Sequence, residues 1–464
     1  MITLKIKNKF GNWRKLSLLK LFKNAIIIIG TVVLICLLIF IFFPDPFINS
    51  FFKGRIDKVI SEAYPAYSIK LSDLHYNFWK NRLGCDSLML KTKDSSFSCS
   101  VNTFSVSGIG WMKILLQRDS TTNTLANSEI DAQKIIIKFH KSQNELRFGM
   151  VHISVPDSEM TADSVRYFSL TGDEHFFKKS QFRQTRFRFD IPHIKIIGVN
   201  YFALLKENIY NARSINIQGV FVDILVNMDK PYDMNSPNPQ MPNEFLSSMK
   251  EIVKVDSLNI INGRLKYCER FAVGAKPGEI TFNKMKISIR GIANHTAYPD
   301  TAIINGEGLF MNSSIMKLYM AIPLTTKVFS LRYSGSLNTM DVTKLNSFIE
   351  AGEHQRIKSG VLQSAAFNIN VNSGNASGTL RVVYKDLTIA VLNKETGSEK
   401  GIFNRIISLF GKVFVIRRTN MPDEKGLMKI GEINYTRNPM DYFLQYVWFA
   451  LRGSIADVVG FPRE

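Results

Sequence analysis

The sequence predicts a mainly β protein: an elongated, curved antiparallel sheet of repeated hairpins, groove-like in shape, with one N-terminal transmembrane helix and a few short amphipathic helices. Three observations carry that expectation. Residues 25–43 hold no charge, residues 66–392 alternate apolar and polar side chains, and short strand motifs recur at long intervals. Composition agrees, since 464 residues that are 45% hydrophobic and 21% charged are too apolar for disorder and long enough for two or three domains. Four cysteines with no C-x-x-C pair exclude a disulfide-built scaffold and offer no zinc or redox motif.

The uncharged stretch is the first element after a basic flank at 1–24. Its nineteen residues would make a helix ~28 Å long at ~1.5 Å per residue, close to the hydrocarbon thickness of a bilayer. Residues 1–24 carry seven Lys/Arg and no acid, whereas 44–63 carry Lys53, Arg55 and Lys58 against Asp45, Asp57 and Glu62. The positive-inside bias places the N-terminus in the cytoplasm and the bulk of the chain across the membrane. The apolar run is longer than the ~7–15 residues of a secretory h-region. It leads into Phe42-Phe43-Pro44-Asp45-Pro46-Phe47 instead of a small-x-small cleavage site, so a retained single-pass anchor is expected. Seven of the twenty excess positive charges sit in the flank, beside anionic headgroups, and the rest is spread along the chain. Nucleic acid is therefore not an expected partner.

Residues 44–65 form the juxtamembrane unit. Phe52, Ile56, Val59 and Ile60 stand at helical spacing and Pro65 ends the pattern, which predicts an amphipathic helix over 50–64. Residues 66–335 then read as a repeated strand region. Period-two runs such as Lys134-Ile135-Ile136-Ile137-Lys138-Phe139 and Phe367-Asn368-Ile369-Asn370-Val371-Asn372 predict strands with one apolar and one polar face. Asp86-Ser87-Leu88-Met89-Leu90 recurs as Asp256-Ser257-Leu258-Asn259-Ile260. The return strands end in Ser107-Gly108-Ile109 and Arg290-Gly291-Ile292, with a third variant between Ile194 and Val220. Repeats of this kind predict an open sheet that grows by stacking hairpins. Four prolines in 229–242 mark a loop and the best internal boundary. Residues 336–464 form a C-terminal region with strands and a terminal helix. Its helical candidates are a segment capped by Asp341, the short apolar 402–410, and 439–459 with a stripe of Phe443, Val447 and Leu451 beside Leu444 and Trp448.

A search for chemistry returns no catalytic residue, no metal ligand set and no cofactor motif. The seven histidines are scattered without zincin spacing, and no phosphate loop, dinucleotide fingerprint or nucleophile elbow is present. His152-x4-Asp157 has the spacing of an acyltransferase acid/base pair, but it lies in a strand-like run with no helix to open, so a strand-face His and a turn Asp are expected instead. Cys85 and Cys99 flank a turn at Lys93-Asp94-Ser95; pairing across the hairpin and chance spacing both remain open. The triplets Asp86-Ser87-Leu88 and Asp163-Ser164-Val165 resemble glycosylation acceptor sites of exported Bacteroidota proteins. No enzyme is expected.

The apolar strand faces then become the candidate site. If Leu88, Leu90, Phe104, Val106, Ile135, Ile137, Ile215, Ile217, Met285, Ile287, Ile289, Phe367, Ile369 and Val371 point one way, a sheet curling around them makes a trough for acyl chains. Water exposure costs a lipid about 0.8 kcal/mol per CH₂, so a sixteen-carbon chain costs on the order of 12 kcal/mol and a covered route removes most of that. The same face could equally be an ordinary core closed by a second sheet or by the tail helices.

A resemblance bears on that choice. Gly360-Val361-Leu362, Tyr384-Lys385-Asp386-Leu387, Tyr435-x-Arg437-Asn438-Pro439 and the aromatic run from Phe443 to Gly453 look like the C-terminal signatures of AsmA-like envelope proteins of diderm bacteria. The order of basic flank, spanning helix, short helix and strand repeats is similar to theirs as well. The likeness is loose over most of the chain and closer over 335–460. It implies an inner-membrane-anchored periplasmic protein whose β-groove binds phospholipid or another acyl-chain lipid, supporting outer-membrane phospholipid supply and envelope integrity. A non-enzymatic scaffold for envelope proteins is the alternative, and the short chain implies an envelope protein partner if the far membrane is to be reached.

Overall fold

The structure, a computed structural model, describes residues 31–35, 38, 45–53, 62, 65–109, 125–295, 301–393, 399–402, 406–409 and 412–461. A short helix α1 (Asp45–Ile48) runs into a π-helical turn, Asn49–Lys53, and docks on the first hairpin. That hairpin consists of two interrupted strands: β1 (Tyr67–Leu71) and β2 (Leu74–Asn77) pair with β4 (Leu88–Thr92) and β3 (Arg82–Cys85) respectively. β5 (Phe97–Ser107), β6 (Glu129–Phe139), β7 (Asn144–Ser154), β8 (Glu159–Ser169) and β9 (Thr185–Ile197) follow as antiparallel neighbours, with α2 (Asp173–Lys178) between the last two.

After α3 (Tyr201–Glu207), β10 (Ile209–Gln218) and β11 (Phe221–Asn227) form one strand broken at Gly219, whose φ is +67°. Both halves lie between β9 and β12 (Ile252–Arg270), and β12 runs parallel to them. A hairpin cannot join parallel neighbours, so the chain has to cross back over the sheet. The proline-rich loop and α4 (Pro242–Ser248) are that crossover. It marks a parallel seam and leaves the sheet unbroken.

β13 (Gly278–Ala293), β14 (Thr301–Phe310), β15 (Ser314–Pro323) and β16 (Leu331–Leu337) continue as antiparallel neighbours. After β17 (Met340–Asp341) and α5 (Asn346–Glu353) come β18 (Gln355–Asn372) and β19 (Asn375–Leu392). β16 pairs directly with β18, so residue 336 is no boundary in the sheet. Two strands share the far side of β19, namely β20 (Glu399–Ile402) and β23 (Ile430–Thr436), while β21 (Ile406–Leu409) and β22 (Lys412–Val415) pair only with each other among the described strands. The terminal helix α6 (Phe443–Val459) lies against β19 and β23.

The curvature has an identifiable cause. Apolar residues follow period two within each half of a strand, but the halves are one residue out of step: Leu83, Cys85, then Leu88, Leu90; Cys99, Val101, then Phe104, Val106; Ile130, Ala132, then Ile135, Ile137; Phe189, Ile191, then Ile194, Ile196. The extra residue behaves as a bulge, marked by φ near +50° at Lys134, Ser164, Asn262 and Lys284. It lets both halves present their apolar residues on one side, as the paired rows Val101, Ile135, Phe148 and Phe104, Ala132, Val151 require. Bulges bend strands, and here they align from the first hairpin to β13, which creases that part of the sheet. Leu74, Cys85, Val101, Ala132, Val151, Ala162 and Val165 flank the crease on the apolar side and are all 9% exposed or less. Asn102, Gln133, Lys134, Met150 and Ser164, on the opposite side, are exposed. The apolar face is therefore the inside of the bend.

Several helical expectations change. Residues 406–409, expected as part of a helix, form strand β21, because a β-branched pair in so short a run cannot repay helix nucleation. In α6 the buried stripe is Tyr446, Ala450, Leu451, Ser454 and Val458, while Leu444 and Trp448 are exposed. The helix thus meets the sheet about one position round from the stripe read in the sequence. Most of the expected helix over 50–64, and most of the expected span over 25–43, lie outside the described residues. Among the described residues no helix is long and apolar enough to cross a membrane. The turn at 31–35 is helical, and Val32, Val33, Leu34 and Ile35 are each 49–57% exposed, so no side of it is buried against the protein.

Candidate functional site

Strand register puts all fourteen candidate residues on the inner face of the bend. Directly paired residues share a face, and Leu88 opposes Val101, Leu90 opposes Cys99, Phe104 opposes Cys85 and Ala132, and Val106 opposes Ile130. Ile135 and Ile137 meet Phe148 and Leu146. Ile215 and Ile217 lie between Ile196 and Ile194 on one side and Leu258 and Ile260 on the other. From there the rows run through Ile289 and Ile287 to Ile304 and Gly306, with Met285 beyond the bulge beside Gly263. Phe367, Ile369 and Val371 close the series against Gly335, Tyr333 and Leu331.

What differs along the face is its cover. Ile369 is 0% exposed and Val371 5%, because α6 and the crossover lie on them. Tyr446 sits at the centre of that seal: its hydroxyl donates to the Gly374 carbonyl at 3.1 Å, and its ring meets Phe329 edge-on at 5.3 Å. Burial pushes the Tyr446 phenol well above its ordinary pKa. Tyr333 donates to the Val447 carbonyl at 3.2 Å. Met241 of the crossover is fully buried in the same cluster, and Arg437 fixes the crossover by a forked ion pair with Glu244, at 2.7 and 3.2 Å. The Arg437 guanidinium holds the Glu244 carboxyl below its usual range.

The other twelve residues are partly exposed. Apolar neighbours from both limbs of the crease touch one another there, as in the cluster of Val151, Ala162 and Val165 with Ile135, Phe148, Phe189 and Ile194. No described helix makes its main contacts with β6, β7 or β8. Farther along, a cavity of about 820 Å³ follows the row Ile260, Ile287, Gly306, Leu318, Gly335 and the residues flanking it, within the ~300–1,000 Å³ typical of small-molecule sites. Gly335 is required there, since a Cβ would come within 2.5 Å of the Phe367 ring. A polar pair interrupts the inner face near α5: Tyr267 donates to Glu269 at 2.6 Å, and burial raises the pKa of both groups.

Other sequence candidates resolve simply. His152 Nδ1 meets Asp131 at 2.8 Å, while Asp157 accepts from Ser154 Oγ at 2.7 Å, so the acyltransferase-like spacing brings no pair together. Cys85 faces Leu74 and Phe104, and Cys99 faces Leu90 and Ile137; both thiols are free. Phe104 and Cys99 are five residues apart on β5, which separates the two thiols by roughly 17 Å along the strand and rules out the bridge. Among the described residues no group of His, Cys, Asp and Glu could hold a metal ion. Sequence reasoning missed Cys99, Ala132, Val151 and Val165 as floor residues. The signal was the three-residue step between the two apolar pairs of each strand. No protein-family model matches the chain, and no curated protein matches it either. The AsmA-like resemblance therefore rests on the quoted residues and the order of segments alone.

Proposed function

We propose that this chain is a membrane-anchored periplasmic protein that holds and hands on lipid acyl chains, in the manner of the AsmA-like proteins it resembles, and so supports phospholipid supply to the outer membrane. The observation that carries the reading is one largely apolar inner face running from β1 to β19, which among the described residues is roofed by the protein's own helices only toward the C-terminal end. A core evolved only for stability would be roofed throughout, since leaving apolar side chains part-exposed forfeits about 25 cal/mol per Å². The half-exposed apolar turn at 31–35 is what a bilayer-embedded segment presents, and it supports the anchor. The roofed end makes the trough blind, so lipid enters and leaves over the open strands.

Native mass spectrometry of the detergent-extracted protein tests this: bound phospholipid is expected, and delipidated protein should take up a fluorescent lipid. Protein that carries none and takes up none contradicts it. The scaffold reading draws on the first edge of the sheet, where β1 pairs with β4 alone among the described strands and leaves an edge for a partner's strand. Stoichiometric cross-linking to one envelope protein, in a form that binds no lipid, would favour it.

A further inference from the structure

The turn between β2 and β3 is built to hold two aromatic rings out of the protein. Trp79 is 78% exposed and Phe78 42%, their rings meeting edge-on at 5.9 Å, and Lys80 beside them is exposed. The turn that carries them is fixed by four hydrogen bonds. Asn77 Oδ1 accepts from the Lys80 N–H at 2.9 Å, and the Phe78 carbonyl accepts from the Asn81 N–H at 3.2 Å. Tyr76 donates to Asn81 Oδ1, and Asn81 Nδ2 donates to the Ile109 carbonyl, each at 2.9 Å. Asn81 itself takes the left-handed conformation that asparagine tolerates, φ +43°.

The location of this tip gives its exposure a meaning. Asp45, two residues beyond the expected span, accepts from the Tyr76 N–H at 2.8 Å, and Asn49 exchanges two bonds with the Leu74 backbone at 2.9 and 2.7 Å. Two residues of chain reach about 7 Å, so a span ending at residue 43 leaves Asp45 at headgroup depth. Phe78 lies two residues beyond Tyr76, just past the end of β2, about another 7 Å at extended spacing. Tryptophan and phenylalanine with an adjacent lysine are the side chains that settle at a bilayer interface, rings among the headgroup carbonyls and ammonium on the phosphates. On the anchored reading above, we infer that the Phe78-Trp79-Lys80 tip inserts into the phospholipid interface of the anchoring membrane. It thereby seats the open end of the apolar crease, whose first floor residues are Leu74 and Cys85, on the source of its lipid.

The test uses the full-length chain in nanodiscs of mixed neutral and anionic phospholipid brominated near the headgroup, comparing the wild type with Trp79→Phe. The emission lost in the variant is that of Trp79. It is expected to be quenched by brominated lipid and shielded from aqueous acrylamide, and Lys80→Glu should weaken the lipid quenching in anionic but not in neutral discs. Emission quenched by acrylamide and untouched by bromine overturns the inference, as does emission shielded from both, which would mark a protein contact. Alkaline carbonate separates this from failure of the anchor. A chain that washes out of the membrane refutes the anchored reading and the tip with it, whereas an integral chain with a water-exposed Trp79 refutes the tip alone.

Discussion

The inner face of this sheet is apolar along most of its length, broken by the Tyr267–Glu269 pair, yet its two halves are finished differently. Around β5–β9, among the described residues, those beside the crease are buried by each other and those on the limbs stay part-exposed. At the ends of β14–β19 that carry Ala302, Ile322, Leu331, Val371 and Ala376, the same kind of surface is roofed by α6 and the crossover, and Tyr333, Ile369 and Tyr446 are fully buried. Identical strand chemistry therefore yields a core in one half and an accessible trough in the other. The difference lies in which segments return to cover it.

The contrast is broken most severely by placing a charge in each half. Ile369→Arg buries an unpaired cation in the sealed half and should cost about 4 kcal/mol or more, seen as loss of folded protein or a collapse of the urea midpoint. Ile217→Arg, at a part-exposed site where the long side chain can reach water, should cost about 1 kcal/mol or less while abolishing lipid uptake. Equal destabilisation at both sites would mean the two halves are the same core.

A smaller effect is expected at the seal. Arg437→Met leaves Glu244 without its forked partner and should destabilise the C-terminal half by about 1–3 kcal/mol, with faster proteolysis within 228–241. The pair's pH dependence has a definite sign. The Glu244 pKa is lowered in the fold, so its contribution is present above the unfolded value near 4.5 and is lost as pH falls through the folded one.

Smaller again is the expected protection of Cys99, a part-exposed thiol on the inner face. Maleimide should react with it faster in delipidated than in lipid-loaded protein, and Cys99→Ser should remove the difference. The least effect is expected where α1 joins the first hairpin. His75 lies 3.1 Å from both Asp45 and Asp86, and its pKa is raised, chiefly by the hydrogen bond to Asp45. A raised histidine pKa stabilises fully below the unfolded value near 6.5 and ceases to as pH rises through the folded one. After correction for intrinsic rates, the Tyr76 amide should therefore exchange faster above that pH than below it.

Much of this was legible in the alternation, because period two fixes which residues share a face once strands pair. Leu88 through Val371 could be chosen on that basis. The bulge was less visible, since Ile135 and Ile137 or Phe104 and Val106 alternate correctly by themselves. Only the step from Ala132 to Ile135, repeated in neighbouring strands, reveals that each strand bends. The parallel seam left no local signal beyond a proline-rich loop long enough to cross over. The roof was legible only as one alternative, closure by the tail helices, and not in its position. Ile289 and Ile369 sit in similar runs, and only the return of α6 over one of them makes it a core residue. The helix expected over 402–410 failed for a simpler reason, as Ile406 and Ile407 favour extended backbone and the run is too short to sustain a helix on its own.

The most direct test of the central claim is a photo-crosslinking scan in intact cells, with a photoreactive amino acid placed at Ile137, Ile217, Ile287 and Ile369 and at the outward-facing Lys138 and Gln218. Lipid adducts are expected at the first three positions and at none of the others. Adducts absent from Ile137, Ile217 and Ile287, or no more frequent there than at Lys138 and Gln218, would contradict a lipid-holding trough.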